Sequence, residues 1–290
     1  MDHPYRVSCL AHLPAGLRAL VERAPEISAQ ANYVFVVPEQ EFYGGWFRSR
    51  RVPEQALVFT PAGVLHVQSA GVGQPERTTY LPGETLLFAR LTLILLSGCV
   101  ELVDGHRADA RIVVEYNTVG HHLLAPALLR FLRLAWGPRV SDSAADRDRT
   151  EALLFDLWRR SLKFRNGLGG YALQPDERLL GYVLQPRILC PRWRLFEREV
   201  APASLLALTD RQLILLEETP ASPRQVSYAW RFTFCPRPCV SGVDLELGKE
   251  WQRLTVRLRR EVTAQHQVTL ENENAHAWAR LWDSRLQSRS

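Results

Sequence analysis

Lysine is almost missing from this sequence. Only Lys163 and Lys249 occur in 290 residues, against 34 arginines, so nearly all the positive charge is guanidinium, a bias that a GC-rich genome explains as well as guanidinium chemistry does. Methionine is confined to Met1. The five cysteines, Cys9, Cys99, Cys190, Cys235 and Cys239, are odd in number and scattered, which excludes a disulfide framework as the organising principle. Long hydrophobic runs are lacking too. The longest, Leu91 to Val100, is closed by Arg90 and Glu101, far short of the roughly 20 residues of a spanning helix. Arg6, His12 and Arg18 interrupt the opening segment, so no signal peptide is expected. These absences together predict a cytoplasmic protein.

Catalytic signatures are equally scarce. Neither Gly-x-Ser-x-Gly nor Gly-x-x-x-x-Gly-Lys-Ser/Thr occurs, and Gly248-Lys249-Glu250 is not a phosphate loop. His121 and His122 are adjacent, and neighbours on a helix point about 100° apart, which disfavours a shared metal. Cys235 and Cys239 supply two thiols with no further ligand close by, and although Glu271, Glu273 and His276 could converge at the start of a helix, the two carboxylates there are equally explained by its dipole. The expectation is a chain with no cofactor, no metal and no catalytic constellation.

What the chain does hold is an ordinary globular composition: 46% hydrophobic and 23% charged residues, with a mean hydropathy of −0.16. At roughly 150 residues per domain, two domains are expected. Residues 1–145 carry 13 arginines and 13 acidic residues, whereas the remainder carries 23 basic against 18 acidic, so the net charge of +5 sits in the second half. A pI near 9.1 permits contact with phosphates or anionic lipid without requiring it.

An internal repeat organises the chain. Ala56-Leu57-Val58-Phe59-Thr60-Pro61-Ala62-Gly63-Val64-Leu65-His66-Val67 aligns without a gap on Leu205-Leu206-Ala207-Leu208-Thr209-Asp210-Arg211-Gln212-Leu213-Ile214-Leu215-Leu216. Each is an apolar run, a Thr, a polar turn and a second apolar run, the pattern of a β-hairpin. Further strands are predicted at Leu86–Val103 and Arg111–Tyr116 after the first, and at Leu254–Arg259 and Gln267–Leu270 after the second. In the predicted strand at Leu254, alternation puts Arg253, Arg257 and Arg259 on a solvated face. A helix should close each unit. Leu124, Ala127, Leu128, Phe131, Leu132 and Ala135 mark the first, over about Val119–Trp136, with Pro126 in its first turn or a start near Ala125. Asn274 as N-cap, with Trp278, Leu281 and Trp282 on one face, marks the second.

Several strands followed by one amphipathic helix, twice over, resembles the pleckstrin-homology-like (PH-like) superfold in its bacterial and GRAM-type branches. Leu205 to Ile214, with its Thr-Asp-Arg turn, carries the resemblance best; the first unit has Pro61-Ala62-Gly63 there instead. The resemblance implies an α+β protein of two units, each a curved antiparallel sheet or partly open barrel capped by a C-terminal helix. The expected division is an extension with a short helix at 1–29, a first domain at 30–136, a linker at 137–174, a second domain at 175–286 and a tail at 287–290. Within the linker, a helix over Thr150–Phe164 has Leu153, Leu154, Leu157, Trp158 and Leu162 on its apolar face, and Gly167 to Gly170 should end it.

By the same resemblance, the loop after the first strand of the second unit is where PH domains that bind phosphoinositides supply basic residues. There the candidate anionic-ligand site is Arg187, Arg192, Trp193, Arg194 and Arg198. In the first unit, Phe42, Tyr43, Trp46 and Phe47 precede Arg48, Arg50 and Arg51, but no RNA- or DNA-binding motif accompanies them, which argues against nucleic acid. The functional expectation is a non-enzymatic adaptor that binds a protein. The alternatives are peripheral attachment to anionic lipid headgroups, and an enzyme whose site is assembled from distant residues.

Overall fold

A computed structural model describes the chain apart from residues 1–2, 44–48, 72, 108, 137–143, 175, 194–195, 219–228, 247, 249 and 287–290. The protein is α+β, mostly antiparallel sheet, and divides into two compact units, Met1–Pro138 and Arg139–Ser290. The first runs β1 (Tyr5–Val7), α1 (Ala15–Glu22), α2 (Pro25–Ser28), β2 (Tyr33–Val37), β3 (Gln40–Tyr43), β4 (Ser49–Val52), β5 (Gln55–Phe59), β6 (Gly63–Gln68), β7 (Arg77–Pro82), β8 (Leu86–Ile94), β9 (Ser97–Asp104), β10 (Arg111–Asn117) and α3 (His121–Ala135). Strands pair in the order β1-β2-β5-β6-β7, and β8, β9 and β10 form a second meander. The β3–β4 hairpin is inserted between β2 and β5.

Strands β2 and β5 are apolar almost throughout because they are buried on both faces. Val34, Val36, Ala56, Val58, Leu65 and Val67 pack beneath Leu17, Leu20 and Val21 of α1 and Val7 of β1. On the opposite face, Phe35 meets Tyr116 edge-on at 5.9 Å, and Phe59 lies 6.1 Å from Phe131 of α3. Two amphipathic layers therefore sandwich the central sheet, which explains why the alternation of a half-exposed strand is missing here. Helix α3 comes close to the turn after β7: a Cβ on Gly83 would stand 2.8 Å from that of Ala135, so only glycine fits.

Apart from β1, which has no counterpart among the described residues, the second unit repeats this order. It runs α4 (Ala144–Arg160), α5 (Leu162–Tyr171), β11 (Leu179–Gln185), β12 (Ile188–Trp193), β13 (Phe196–Ala201), β14 (Ser204–Thr209), β15 (Gln212–Glu218), β16 (Ala229–Pro236), β17 (Val240–Glu246), β18 (Trp251–Arg259), β19 (Thr263–Glu271) and α6 (Asn272–Leu286). Its strands pair as β11-β14-β15-β16 and β17-β18-β19, with β12–β13 as the inserted hairpin. The correspondence extends to single hydrogen bonds. Thr60 Oγ1 accepts from Gly63 N at 2.9 Å, and Thr209 Oγ1 from Gln212 N at 2.9 Å. Ser69 N donates to Glu54 O at 2.9 Å and Glu218 N to Ala203 O at 2.9 Å; Gly83 N donates to Ala62 O at 2.7 Å and Arg237 N to Arg211 O at 2.8 Å. The two hairpins expected from the repeat are thus present, with Leu57 opposite His66 and Leu206 opposite Leu215. Among the described residues neither unit closes into a barrel.

Several local expectations are corrected. Pro126 is the sixth residue of α3, beyond its first turn, and Asn274 lies inside α6, which begins at Asn272. The segment expected to be a loop after β11 is the β12–β13 hairpin. The segment 1–29 holds a strand as well as helices, since β1 pairs with β2. The segment read as a linker holds two helices broken at Ser161, and Gly167 to Gly170 fall within α5 instead of ending a helix. These helices belong to the second unit: Phe164 packs edge-on against Trp230 at 5.3 Å, and a Cβ at Gly167 would lie 3.2 Å from Leu216. Helix α5 covers one face of β15 and α4 lies against β11, as α1 covers one face of β6.

Candidate functional site

The arrangement of α4 and α5 follows from their sequence. Leu157, Phe164 and Leu168 turn inward and are fully buried or nearly so. Ser161 interrupts the helix in an extended conformation, its hydroxyl accepting from Phe164 N at 3.4 Å, and α5 starts afresh. A second apolar stripe then faces outward. Phe155 is 60% exposed, Trp158 49% and Leu162 55%, although Trp158 and Leu162 were expected on the buried face. The rings of Phe155 and Trp158 stack at 5.5 Å. With Glu151, Leu154, Leu162, Arg165 and Asn166 they line an open groove of about 740 Å³. A surface helix ordinarily has one apolar stripe, and the corresponding helix α1 obeys that rule: its outward positions are Ala15, Gly16, Ala19 and Glu22.

The groove is held rigidly from below. Asp156 accepts a short hydrogen bond from the Tyr182 hydroxyl and pairs with Arg160 at 3.2 Å; the Tyr182 bond, more than the nearby arginines, holds its carboxyl below the usual range. Lys163 lies 4.8 Å over the Trp230 ring and pairs with Glu218 at 2.6 Å. These contacts fix the backbone of both helices against the sheet, so the outward stripe is presented with little conformational freedom left to lose.

Of the sequence-predicted anionic site, Arg187 is engaged by two carboxylates, Glu218 at 3.1 Å and Glu199 at 3.4 Å, which compensate its charge. Arg198 is exposed on β13, opposite Cys190 of β12. Arg192 and Trp193 lie on β12 with their side chains outside the described part, and Arg194 lies outside the described residues, as do Trp46, Phe47 and Arg48 of the first unit. Arg253, Arg257 and Arg259 share the exposed face of β18 as expected, Arg257 pairing with Asp244 at 2.8 Å and Arg253 with Glu246 at 3.3 Å.

His121 and His122 turn to different partners, the Tyr116 hydroxyl at 3.0 Å and Val119 O at 2.8 Å. Cys235 and Cys239 are buried, and Arg260 Nε donates to Cys239 Sγ at 3.0 Å. Glu271, Glu273 and His276 are exposed, with His276 Nδ1 on Asn272 O at 2.6 Å. Among the described residues no three His, Cys, Asp or Glu side chains are grouped to hold a metal, and no helix is long and apolar enough to cross a membrane.

One polar centre escaped the sequence reading. Glu177, only 4% exposed, accepts from Thr209 Oγ1, from Gln212 Nε2 at 2.9 Å and from Gln174 N at 3.2 Å, so it ties the start of β11 to the β14–β15 turn. Burial outweighs these three donors and pushes its carboxyl up to about 7. The Thr209-x-x-Gln212 pair inside an apolar hairpin was the available signal that a buried polar partner exists. No protein-family model matches the chain, and no curated protein is significantly similar to it.

Proposed function

We propose that the chain is a non-enzymatic adaptor built from two PH-like units, and that its second unit docks a protein in the α4–α5 groove. The family reading is supported by the order of elements common to both units: four successively paired strands, β2-β5-β6-β7 (extended by β1) in the first and β11-β14-β15-β16 in the second, then a three-stranded meander and a closing helix. The docking reading rests on one observation, the exposed Phe155–Trp158–Leu162 stripe on helices whose other face is already used against the sheet. Exposed Trp and Phe beside Arg are the side chains that dominate protein interfaces, and a concave groove suits a protruding polypeptide better than a bilayer surface. A photoreactive phenylalanine analogue placed at Asn166, on the groove wall, should crosslink to a polypeptide in cells making the full chain. Trp158→Asp should abolish that crosslink and leave the melting temperature within about 2 °C, as for other surface changes. Absence of any crosslinked polypeptide sinks the reading.

A second reading, attachment to anionic membranes, is favoured by the inserted hairpins: in the sequence of both β3–β4 and β12–β13 arginines occur within a few positions of aromatic residues, and the two hairpins hold the same place in the order of each unit. Flotation with vesicles containing acidic lipid tests it. Binding that falls at least about tenfold in a variant with Arg192→Glu and Arg194→Glu supports this reading, given roughly 1 kcal/mol per basic residue near such a surface. Unchanged binding, or none, removes it.

A further inference from the structure

The outward ridge of α4 has a symmetry that identifies its occupant. Residues four apart form one ridge on a helix, and Glu151, Phe155 and Arg159 lie on such a ridge in the order acid, aromatic, base. Reading the ridge backwards exchanges the two charges and leaves the ring in place. Both charged residues are exposed, and neither has a salt bridge among the described residues, since Asp156 pairs with Arg160 instead and feels Arg159 only at longer range. We infer that the groove is filled by a second copy of this chain, with α4 antiparallel to the partner's α4 about a two-fold axis through Phe155. This deepens the docking reading above and rests on it.

In an isologous contact whatever residue i meets, its counterpart meets in return, so each Glu151 faces the other copy's Arg159, and the attraction occurs twice. The geometry of the groove agrees. On the axis the two Phe155 rings meet each other, and the hollow beside each, lined by Leu154, Trp158, Leu162 and Asn166, leaves apolar surface for the other copy to cover. A partner with an unrelated surface would have no reason to match a ridge that matches itself.

Sedimentation equilibrium of the purified full chain tests this. The wild-type chain should form a dimer. Glu151→Arg and Arg159→Glu singly should each weaken it about tenfold, because each creates two like-charge contacts, and the double variant should recover most of the loss. Since all three changes are on the surface, thermal melts in parallel should be unaltered. A wild-type chain that stays monomeric, or a double variant weaker than either single one, overturns self-association. If the Asn166 probe then captures a different polypeptide, the docking reading survives without it; if it captures nothing, both fall.

Discussion

Trp278→Ala should remove about 3–5 kcal/mol from the stability of the second unit, a large part of the roughly 5–15 kcal/mol that a domain possesses. Trp278 is completely buried on α6, which lies against β11, β18 and β19. Its neighbours are fixed by their own contacts. Gln185 Oε1 accepts from Glu271 N at 2.8 Å and from Asn274 Nδ2 at 2.9 Å, which clamps the first turn of the helix to the end of β11. Leu281 reaches Gly181, where a Cβ would meet it at 2.5 Å. Little can relax into the space of a deleted indole, so the cavity term is retained. Because the indole N–H has no hydrogen-bond partner among the described residues, Trp278→Phe should cost clearly less, under about 2 kcal/mol. Urea denaturation of the full chain gives both numbers, as a shift in midpoint at constant slope. A loss below about 1 kcal/mol for the alanine variant would mean that α6 does not seal the core.

Glu177→Gln should show a penalty that depends on pH. The wild-type carboxyl titrates at about 7 in the folded chain and near 4.5 when unfolded. Between these values the folded state keeps a proton that the unfolded state has released. The contribution of Glu177 is therefore greatest below pH 4.5, declines as pH rises through the window and levels off above about pH 7. A glutamine cannot titrate, so the destabilisation relative to wild type should be larger at acid pH than at neutral pH by about 2–3 kcal/mol. A difference that does not change with pH would show that the Glu177 carboxyl titrates alike in the folded and unfolded chain, so that burial does not shift it. His66 runs in the opposite sense. It is buried against Gln55 Oε1 at 3.0 Å, and burial, aided by Arg77, lowers it to about 4. Its contribution is present above pH 6.5 and is lost as pH falls toward 4, so the comparison must be made between variants and wild type, where the His66 effect cancels.

The repeat was legible because hairpins are local. Leu57 to Val67 and Leu206 to Leu216 each contain both partner strands and the Thr that closes the turn, and no distant residue is needed to read them. The arginine face of β18 was legible for the same reason, since a strand has a two-residue period. The inserted hairpin β12–β13 was hidden, because Pro191 and the surrounding arginines break the apolar pattern by which a strand is recognised. Of the proposed docking site, the sequence revealed that α4 is amphipathic but put Trp158 and Leu162 on the same apolar face as Leu157 and gave no place to Phe155. With Leu157 on one side and Phe155, Trp158 and Leu162 on the other, periodicity alone cannot choose the inward face.

Sequence by itself determined the α+β class, the duplicated hairpins and the closing helices, all consequences of periods that repeat within a few residues. Tertiary structure alone decided that α4 and α5 are a covering layer of the second unit, that their aromatic stripe faces outward, and that Glu177 is enclosed by Thr209, Gln212 and Gln174. Those outcomes depend on which apolar surface wins the competition for the sheet, and that competition is between residues far apart along the chain.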